Sequence, residues 1–335
     1  MIAKNTLYSI LDLALVSKNY TLKQTFNNSL KLAQSAELFG YKRYWLAEHH
    51  NAENIGSSAT SVLIGYVAEG TKTIRVGSGG IMLPNHSPLI IAEQFGTLGS
   101  LYPNRIDLGL GRAPGTDRET AEAIRSDFMD AAHAFPNELE KIQDYFAIGN
   151  STAKVRATVA EGVNVPIYIL GSSTDSAHLA AKNGKPYAFA SHFATTHLWN
   201  ALDIYRKEFK PSFEQDKPYV IVGLNVIIAD TDEEAERLST SLIKLILGLF
   251  TGKREPVQPP TEMTNDLRGI LQNPQVHQML KYSFIGSKAT VKPQIREFME
   301  QTKADEFIAV TNIYDVNDRI KSYKLFAEIM DELIG

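Results

Sequence analysis

Three titratable residues, Glu48, His49 and His50, follow one another directly after a short apolar run. Histidine has an unperturbed pKa of about 6.5, so it can take or give a proton near neutral pH. A metal site is one alternative, but adjacent strand residues point to opposite faces, and the zinc motifs H-E-x-x-H and H-x-x-E-H do not occur. A second alternative is that these polar residues merely end a strand. Three titratable groups side by side make that interpretation less favoured. The residues alone therefore favour an acid–base site among Glu48, His49 and His50 over a metal site, and they leave open which of the three side chains does the work.

A second group of residues could hold a phosphate. Arg112 follows a buried-looking strand, and its guanidinium can donate two hydrogen bonds to a phosphate. Gly171, Ser172 and Ser173 stand just before a predicted helix, whose N-terminus attracts anions, and Ser176 lies in its first turn. Each feature also has an ordinary interpretation, as a surface arginine or a plain helix cap. Together they favour a phosphate site.

The glycines of the segment GSGG (residues 77–80) are the third candidate feature. Glycine within a strand often marks a bulge or a tight barrel corner. Gly79 and Gly80 would also let the backbone approach a flat ligand closely, since no side chain intervenes. Neither a G-x-G-x-x-G fingerprint nor a Walker loop is present, so nucleotide sites of those kinds are not indicated.

The pattern of apolar runs places these residues at strand ends. Apolar runs that suit strands alternate with longer segments of helical period. The predicted strands are residues 7–16, 43–50, 74–84, 105–115, 165–173, 186–193, 219–230 and 306–314. The predicted helices are residues 26–41, 57–70, 88–102, 176–184, 196–209, 231–250, 288–303 and 317–333. Most of the strands are continuous apolar runs, which are typical of parallel strands buried on both faces.

Eight such units predict an α/β fold of the (β/α)8 TIM-barrel type, whose functional residues lie at the C-terminal ends of the strands. A doubly wound open sheet shares the local pattern and is the alternative, but the count of eight favours the barrel. Irregular segments at about 116–163 and 251–282 predict insertions after strands 4 and 7, the first with a polar helical stretch near its start. No flexible linker divides the chain, so we expect residues 1–335 to form a single domain.

Composition excludes several classes of function. The 335 residues are 44% hydrophobic and 21% charged, which is typical of a globular protein. A net charge of -4 and the lack of a Lys/Arg-rich run give no basis for a nucleic-acid partner. The absence of cysteine excludes disulfides, thiolate metal sites and a cysteine nucleophile. No apolar stretch reaches the roughly 20 residues that span a bilayer, and the N-terminus lacks a signal-peptide pattern, so we expect a cytoplasmic protein without membrane contact.

Four segments, in order, resemble the bacterial luciferase-like flavin monooxygenases, and most closely their single-chain branch of luciferase-family oxidoreductases. They are GYKRYWLAEHHN, IRVGSGGIMLPNHSPLIIAEQFGTL, RIDLGLGRAPG and IYILGSSTDSAHLAAKNGKPYAFASHF, and the C-terminal YSFIGSKATVKPQIREFME also fits. The resemblance implies a (β/α)8 barrel that binds FMN.

The resemblance assigns roles to individual residues. The acid and first histidine that follow strand 2 in the family match Glu48 and His49, and that histidine assists catalysis in luciferases. The resemblance thus implies that His49 is the working acid–base residue, that Glu48 orients backbone or solvent at the mouth, and that His50 is structural. A non-proline cis peptide beneath the flavin ring matches Gly79–Gly80. The arginine that binds the phosphate matches Arg112. The phosphate loop after strand 5 matches Gly171, Ser172 and Ser173, with Ser176 beside it.

Two positions depart from true luciferases. Gly111 stands where luciferases carry a cysteine, and Gly171 stands where they carry an acid. Because these residues line the flavin, the resemblance implies oxygenation without light emission.

The resemblance also implies cofactor and partners. We expect an FMN-dependent monooxygenase that takes reduced FMN from a separate NAD(P)H:flavin reductase and uses O2 to oxygenate a small organic substrate. We also expect a homodimer with helices 57–70 and 88–102 at the interface, through Val62, Tyr66, Ile91 and Phe95. A deazaflavin-dependent hydride-transfer enzyme and a non-catalytic flavin-binding protein remain open as alternatives. The residues that select the substrate are expected in the two insertions.

Overall fold

Eight parallel strands close into a barrel in the computed structural model, which describes residues 6–149 and 152–335. Within those residues the strands are β1 (Leu7–Asp12), β2 (Arg43–Leu46), β3 (Arg75–Met82), β4 (Ile106–Gly111), β5 (Ile167–Gly171), β6 (Tyr187–Phe189), β7 (Val220–Ala229), β8 (Ser283–Ser287) and β9 (Glu306–Val310). The barrel runs from β1 to β7 in chain order, then through β9 back to β1. This closure confirms the barrel and excludes the open doubly wound sheet.

The helices alternate with the strands as the sequence predicts. In the described residues they are α1 (Leu22–Leu38), α2 (Thr60–Glu69), α3 (Pro88–Leu101), α4 (Arg118–Ile124), α5 (Phe128–His133), α6 (Phe135–Phe146), α7 (Thr174–Lys182), α8 (Leu198–Glu208), α9 (Asp232–Thr251), α10 (Asn265–Leu271), α11 (Pro274–Met279), α12 (Lys288–Thr302) and α13 (Val316–Ile334). A short 3-10 helix, Leu83–Asn85, follows β3. None of the helices in this part of the chain has the length and apolar character needed to cross a membrane.

Strand β8 was not predicted from the sequence. Its five residues alternate between buried and half-buried positions, so it lacks the continuous apolar run of the barrel strands. Strand β7 is ten residues long, and only its first half pairs with β9 in the barrel. β8 pairs with the second half, Asn225–Ala229, beyond the barrel rim. It thereby covers an edge that would otherwise expose unpaired backbone groups.

Most of the strands are shorter than the sequence pattern indicates. β2 ends at Leu46 rather than at residue 50, and β6 ends at Phe189 rather than at residue 193. The apolar pattern continues past both ends because the first loop residues stay buried, as Ala47 does at 5% exposure. The titratable residues after β2 therefore lie on a loop, where strand alternation does not govern their direction.

Both predicted insertions contain helices. The segment 116–163 forms α4, α5 and α6, with a break at residues 125–127, and 251–282 forms α10 and α11. The loop after α6 packs on α3, where Ala157 and Ala160 are buried against Ala92. A Cβ on Gly96 of α3 would lie 2.5 Å from Ala160 Cα, so glycine permits this close approach. The first segment follows β4, and the second, which comes after α9, is hydrogen-bonded through Val257 to Val16 and Lys18 after β1. Both therefore stand beside the barrel mouth, the end where the strands terminate.

Among the described residues, two of the apolar cores lie on the two faces of the barrel strands. The larger fills the space between strands and helices and includes Tyr44, Phe95 and Phe307. The smaller lies inside the barrel around Trp45 and Tyr168. Every residue of β7 is buried, as expected for a strand with apolar neighbours on both faces.

A buried ionic network closes the barrel at the end opposite the mouth. We call it the barrel floor: Arg43, Arg75, Asp107, Tyr168 and Glu306. Arg43 donates to Glu306 through Nε (2.8 Å) and Nη2 (3.0 Å), and through Nη1 to Asp107 and the Tyr168 hydroxyl, both at 2.7 Å. Arg75 Nε donates to the other Asp107 oxygen at 2.8 Å. Two cations thus face two carboxylates, and the buried charges are balanced.

The surface expected to form a dimer interface is only partly exposed. Val62 and Tyr66 of α2 are 69% and 41% exposed, but Ile91 and Phe95 of α3 are both fully buried at 0%. The prediction for those two residues was wrong, because α3 turns them toward the strands and presents Ile90 instead. The homodimer itself stays a prediction.

Candidate active site

Glu48 is the centre of a hydrogen-bond cluster at the barrel mouth. Its side chain is 1% exposed. Its Oε1 accepts from His50 Nε2 and Asn85 Nδ2, both at 2.9 Å, and its Oε2 accepts from the Met82 amide at 3.0 Å. His86 Nε2 lies 2.9 Å from both oxygens. Both carboxylate oxygens are therefore engaged within the chain.

Burial alone would raise the pKa of Glu48, but hydrogen bonds from His50 and His86 hold it at about 2. The carboxylate is ionised at neutral pH and has no free oxygen to offer a reactant. This geometry favours a positioning role for Glu48, which joins the loop after β2 to the end of β3. Asn85 and His86, which share this cluster, were not singled out from the sequence; their only signal was their place directly after strand 3.

His49 points its ring toward the loop after β4. Nδ1 lies 3.0 Å from the Gly115 carbonyl, and because a carbonyl only accepts, Nδ1 carries the proton. Within the described residues Nε2 has no partner, so it presents a lone pair. Gly115 has a φ of +68°, and a Cβ there would lie 2.8 Å from the Glu48 carbonyl, so glycine is required at this contact.

The electrostatic surroundings keep His49 neutral. Burial lowers its pKa, and the nearby positive charge of Arg254 adds to the effect, while the Gly115 bond and the Glu48 charge oppose it. A neutral imidazole with Nδ1 protonated can accept a proton at Nε2. The two neighbours thus differ in the described part of the chain: both oxygens of Glu48 accept hydrogen bonds, whereas Nε2 of His49 has no partner there.

The Gly79–Gly80 peptide is cis, as the resemblance implied. The register between β3 and β4 shifts between Gly79 and Ile81. A Cβ on Gly79 would lie 2.7 Å from Leu11 Cδ1, and one on Gly80 would lie 2.8 Å from the Gly109 carbonyl. Packing within the barrel therefore requires glycine at both positions, independently of any ligand.

Arg112 and the N-terminus of α7 lie together on the β4–β5 side of the mouth. Arg112 Nη2 donates to Asp175 Oδ2 at 3.0 Å, and the two side chains are 50% and 65% exposed. Ser173 is the N-cap of α7, but its hydroxyl makes no capping bond, which leaves the first amides of the helix available. We call Arg112, Ser172, Ser173 and this helix end the phosphate seat.

Gly171 and Ser176 support the seat from beneath. Ser176 Oγ donates to the Ser173 carbonyl at 2.7 Å and is 3.0 Å from the Tyr187 hydroxyl. A Cβ on Gly171 would lie 2.1 Å from Ser176 Oγ, so glycine makes room for that hydroxyl. These two predicted cofactor residues shape the loop, and the Ser176 hydroxyl is engaged by Ser173 and Tyr187.

His192, on the loop after β6, belongs to the same mouth. The sequence showed only a histidine at a strand end, and it was not included among the site residues. Its Nδ1 is buried without a partner in the described part of the chain. Burial lowers the pKa of His192 to about 4, and repulsion from His49 would add to the effect only when His49 is protonated. It is therefore a second neutral imidazole close to His49.

No group of three or more His, Asp or Glu side chains within residues 6–149 and 152–335 is arranged to hold a metal ion. The histidines nearest to Glu48 use their Nε2 atoms as hydrogen-bonding groups to its carboxylate. The mouth thus places a neutral imidazole, His49, and an exposed guanidinium, Arg112, on strand ends that the barrel brings together.

Comparison with known proteins identifies close relatives. The family model described as luciferase-like monooxygenase matches residues 8–306. A protein of Escherichia coli (strain K12) named luciferase-like monooxygenase is 44% identical over 335 residues, covering 100% of both chains. The crystal structure of apo-MsnO8 matches with a TM-score of 0.88 at 31% identity, over 97% of this chain and 98% of that chain.

Two more distant structures share the fold. The oxygenating constituent of 3,6-diketocamphane monooxygenase from Pseudomonas putida, in complex with FMN, has a TM-score of 0.69 at 19% identity over 98% of this chain and 99% of that one. An F420-dependent secondary alcohol dehydrogenase has a TM-score of 0.68 at 16% identity, with the same coverage. The family match over most of the chain and the full-length relative show that this protein belongs to the luciferase-like monooxygenase family.

Proposed function

We propose that this protein is an FMN-dependent monooxygenase that uses reduced FMN and O2 to oxygenate a small organic substrate without emitting light. The observation that carries the proposal is the pairing, at one barrel mouth, of the phosphate seat with a neutral His49 whose Nε2 is free. A flavin phosphate needs the first feature, and proton transfer during oxygenation needs the second.

The donors of the phosphate seat suit the FMN phosphate. Arg112 supplies a charged fork, and the start of α7, where Ser173 makes no capping bond, supplies backbone amides near the hydroxyls of Ser172 and Ser173. Without a phosphate, the Arg112 guanidinium pairs with Asp175. Both side chains are at least half exposed, and such ion pairs contribute only about 0–1 kcal/mol to stability. A phosphate can therefore displace it at little cost.

Reduced FMN, when bound, supplies the electrons that activate O2. Arg112 and the N-terminus of α7 anchor the phosphate. The helices of the two insertions limit the access of water to the mouth. His49 takes a proton at Nε2 or returns it to an oxygen atom of the reactants. Glu48 keeps the surrounding loop in place.

Two measurements test the cofactor and the reaction. Titration of the protein with FMN and with deazaflavin, followed by absorbance, should show tighter binding of FMN, and preference for deazaflavin would favour hydride transfer. Oxygen uptake on mixing with reduced FMN, whether added directly or regenerated by a separate NAD(P)H:flavin reductase, distinguishes an enzyme from a flavin-storing protein. No uptake beyond that of free reduced FMN would contradict the proposal.

Replacement of His49 tests the acid–base role. His49→Ala should keep FMN affinity within a few-fold but lower oxygen transfer by on the order of 10²–10⁴, with hydrogen peroxide released in place of oxygenated product. Because the pKa of His49 lies below the usual 6.5, wild-type activity should fall only as the pH drops through that lower value and Nε2 becomes protonated.

His178→Ala is the matched control, since His178 is an exposed histidine that pairs with Glu208 on the outer helices. It should leave oxygen transfer unchanged. Intact turnover in His49→Ala, or loss of wild-type activity on adding a chelator, would rule out the acid–base role.

A further inference from the structure

The chain reverses direction directly after α9, on the opposite side of the mouth from the phosphate seat. Gly252 ends the helix with a φ of +72°, which favours glycine, and the Lys253 amide donates back to the Gly248 carbonyl at 2.9 Å. A Cβ on Gly248 would lie 2.5 Å from the Lys253 carbonyl. These glycines let residues 253–258 return along the helix that they have just left.

The returning segment is tied to the barrel. Val257 exchanges backbone hydrogen bonds of 2.9 Å with Val16 and Lys18, which follow β1. Ser241 of α9 donates to the Gln258 carbonyl at 2.9 Å. The segment is therefore fixed at both sides, and a cleft of about 230 Å³ remains between it, α9 and the loop after β2.

We call this space the cationic cleft; its lining includes Asn54, Lys244, Leu247, Leu249, Lys253 and Arg254. Leu247 and Leu249 are 39% and 52% exposed, so one wall of the cleft is apolar. The cleft is smaller than the roughly 300–1,000 Å³ usual for drug-sized ligands, which suits a small molecule.

Positive charge in the cleft is in excess. Lys244, Lys253 and Arg254 face a single acid, Glu255. In the described part of the chain none of these three cations forms an ion pair, and the only side-chain bond among them runs from Lys244 Nζ to the Pro259 carbonyl at 3.0 Å. Burial lowers the pKa of Lys244, which is the effect expected of a cation held without a counter-charge.

Asn54 adds a polar group to the cleft from the loop that also carries His49. Its backbone carbonyl accepts from Val16, and its side-chain oxygen is buried without a partner in the described residues. The other orientation of the amide would place its two N–H donors at the same point. Asn54 lies five positions after His49 on the same loop, and the charge of Arg254 reaches the His49 ring.

We propose that the cationic cleft binds the anionic end of the substrate, which is accordingly a small organic anion with an apolar body. The inference rests on the proposed function, because it places substrate on one side of His49 and the phosphate seat on the other. Lys253 and Arg254 would pair with the anionic group, and the exposed leucines of α9 would contact the apolar part.

Binding of three probes of equal chain length tests the proposal. Octanoate, octyl phosphate and octanol are titrated into the full-length protein without FMN by calorimetry. We expect octanoate or octyl phosphate to bind about tenfold or more tightly than octanol, with affinity that falls as salt is added. The tighter of the two anions identifies the head group. Equal binding of all three probes, or no anion binding up to about 10 mM, overturns the proposal.

The double variant Lys253→Gln/Arg254→Gln should weaken binding of the preferred anion by about tenfold or more and leave octanol unchanged. Lys210→Gln/Lys217→Gln is the control, because it removes the same charge from exposed residues before β7, at the other end of the barrel. Equal loss in both double variants would mean a general charge effect and would overturn the proposal.

FMN titration of the same proteins separates this inference from the proposed function. FMN affinity should be unchanged in the cleft variant. If that variant loses FMN binding, the cleft holds the cofactor phosphate and the inference fails. If anion binding behaves as expected but reduced FMN supports no oxygen uptake, the proposed function fails and the anion site stands.

Discussion

Replacing Glu48 by glutamine should destabilise the fold in a way that depends on pH. The carboxylate receives hydrogen bonds from His50, His86, Asn85 and the Met82 amide, and it is 1% exposed. A glutamine would place an N–H2 group where one oxygen now accepts. At least one of the surrounding donors would then face another donor and lose its partner.

The size of the effect follows from the pKa of Glu48. A decrease from 4.5 to about 2 corresponds to about 3 kcal/mol in favour of the ionised folded state, at 1.36 kcal/mol per pH unit. Because the folded-state pKa is the lower one, this stabilisation is fully present above about pH 4.5 and is lost as the pH falls toward 2. Glu48→Gln, which cannot ionise, should lack it at every pH.

Urea unfolding of both proteins at about pH 7 and pH 3 measures this difference. The free energy of unfolding of Glu48→Gln should be about 3 kcal/mol below that of wild type at pH 7, and the gap should narrow by about 2 kcal/mol at pH 3. Glu53→Gln, an exposed acid on the same loop, should change stability by no more than about 0.5 kcal/mol. A stability difference of constant size across this pH range would refute the argument, because the charge of Glu48 would then make no contribution to the free energy of unfolding.

Three further outcomes are expected. Arg112→Ala should weaken FMN binding by about 1.5–3 kcal/mol and riboflavin binding much less, because riboflavin lacks the phosphate; equal losses, measured by fluorescence titration, would show that Arg112 does not hold it. Asp175→Asn should leave FMN affinity unchanged or raise it by a few-fold, since it frees the Arg112 guanidinium from a weak exposed pair, and a clear loss of affinity would mean that Asp175 takes part in binding. Sedimentation should show a homodimer, and Val62→Glu on the exposed face of α2 should weaken it; a monomer at micromolar concentration would count against the dimer.

The sequence was sufficient for the barrel because burial on both faces leaves a continuous apolar run in each strand, as in β7. The same logic failed for β8, which has one half-exposed face and pairs beyond the rim. The predicted strands extend too far toward their C-terminal ends because buried loop residues such as Ala47 continue the apolar pattern. The assignment of Ile91 and Phe95 to a surface failed because apolar residues on a helix indicate a buried face without saying which side it lies on.

The candidate site was only partly readable for a related reason. Residue type and position suggested His49 and Arg112, and the structure places both at the mouth. Nothing in the sequence showed that Glu48 would receive bonds from His86 across 38 positions, or that Asp175 would hold Arg112. The cationic cleft was equally hidden, since it depends on a turn at Gly252 that brings Arg254 back toward the loop after β2.

The barrel floor has a consequence for how this chain can diversify. Arg43, Asp107 and Glu306 come from three different strands, and a slip of one residue in any of them would turn its charge out of the interior and leave its partners uncompensated. The floor therefore fixes the strand alignment from the end opposite the candidate site. Residues at the mouth are not needed to set the strand alignment. Loops there can therefore lengthen or change their side chains without altering the register of the strands. The candidate site can therefore change at one end of the barrel while the strand alignment is held at the other.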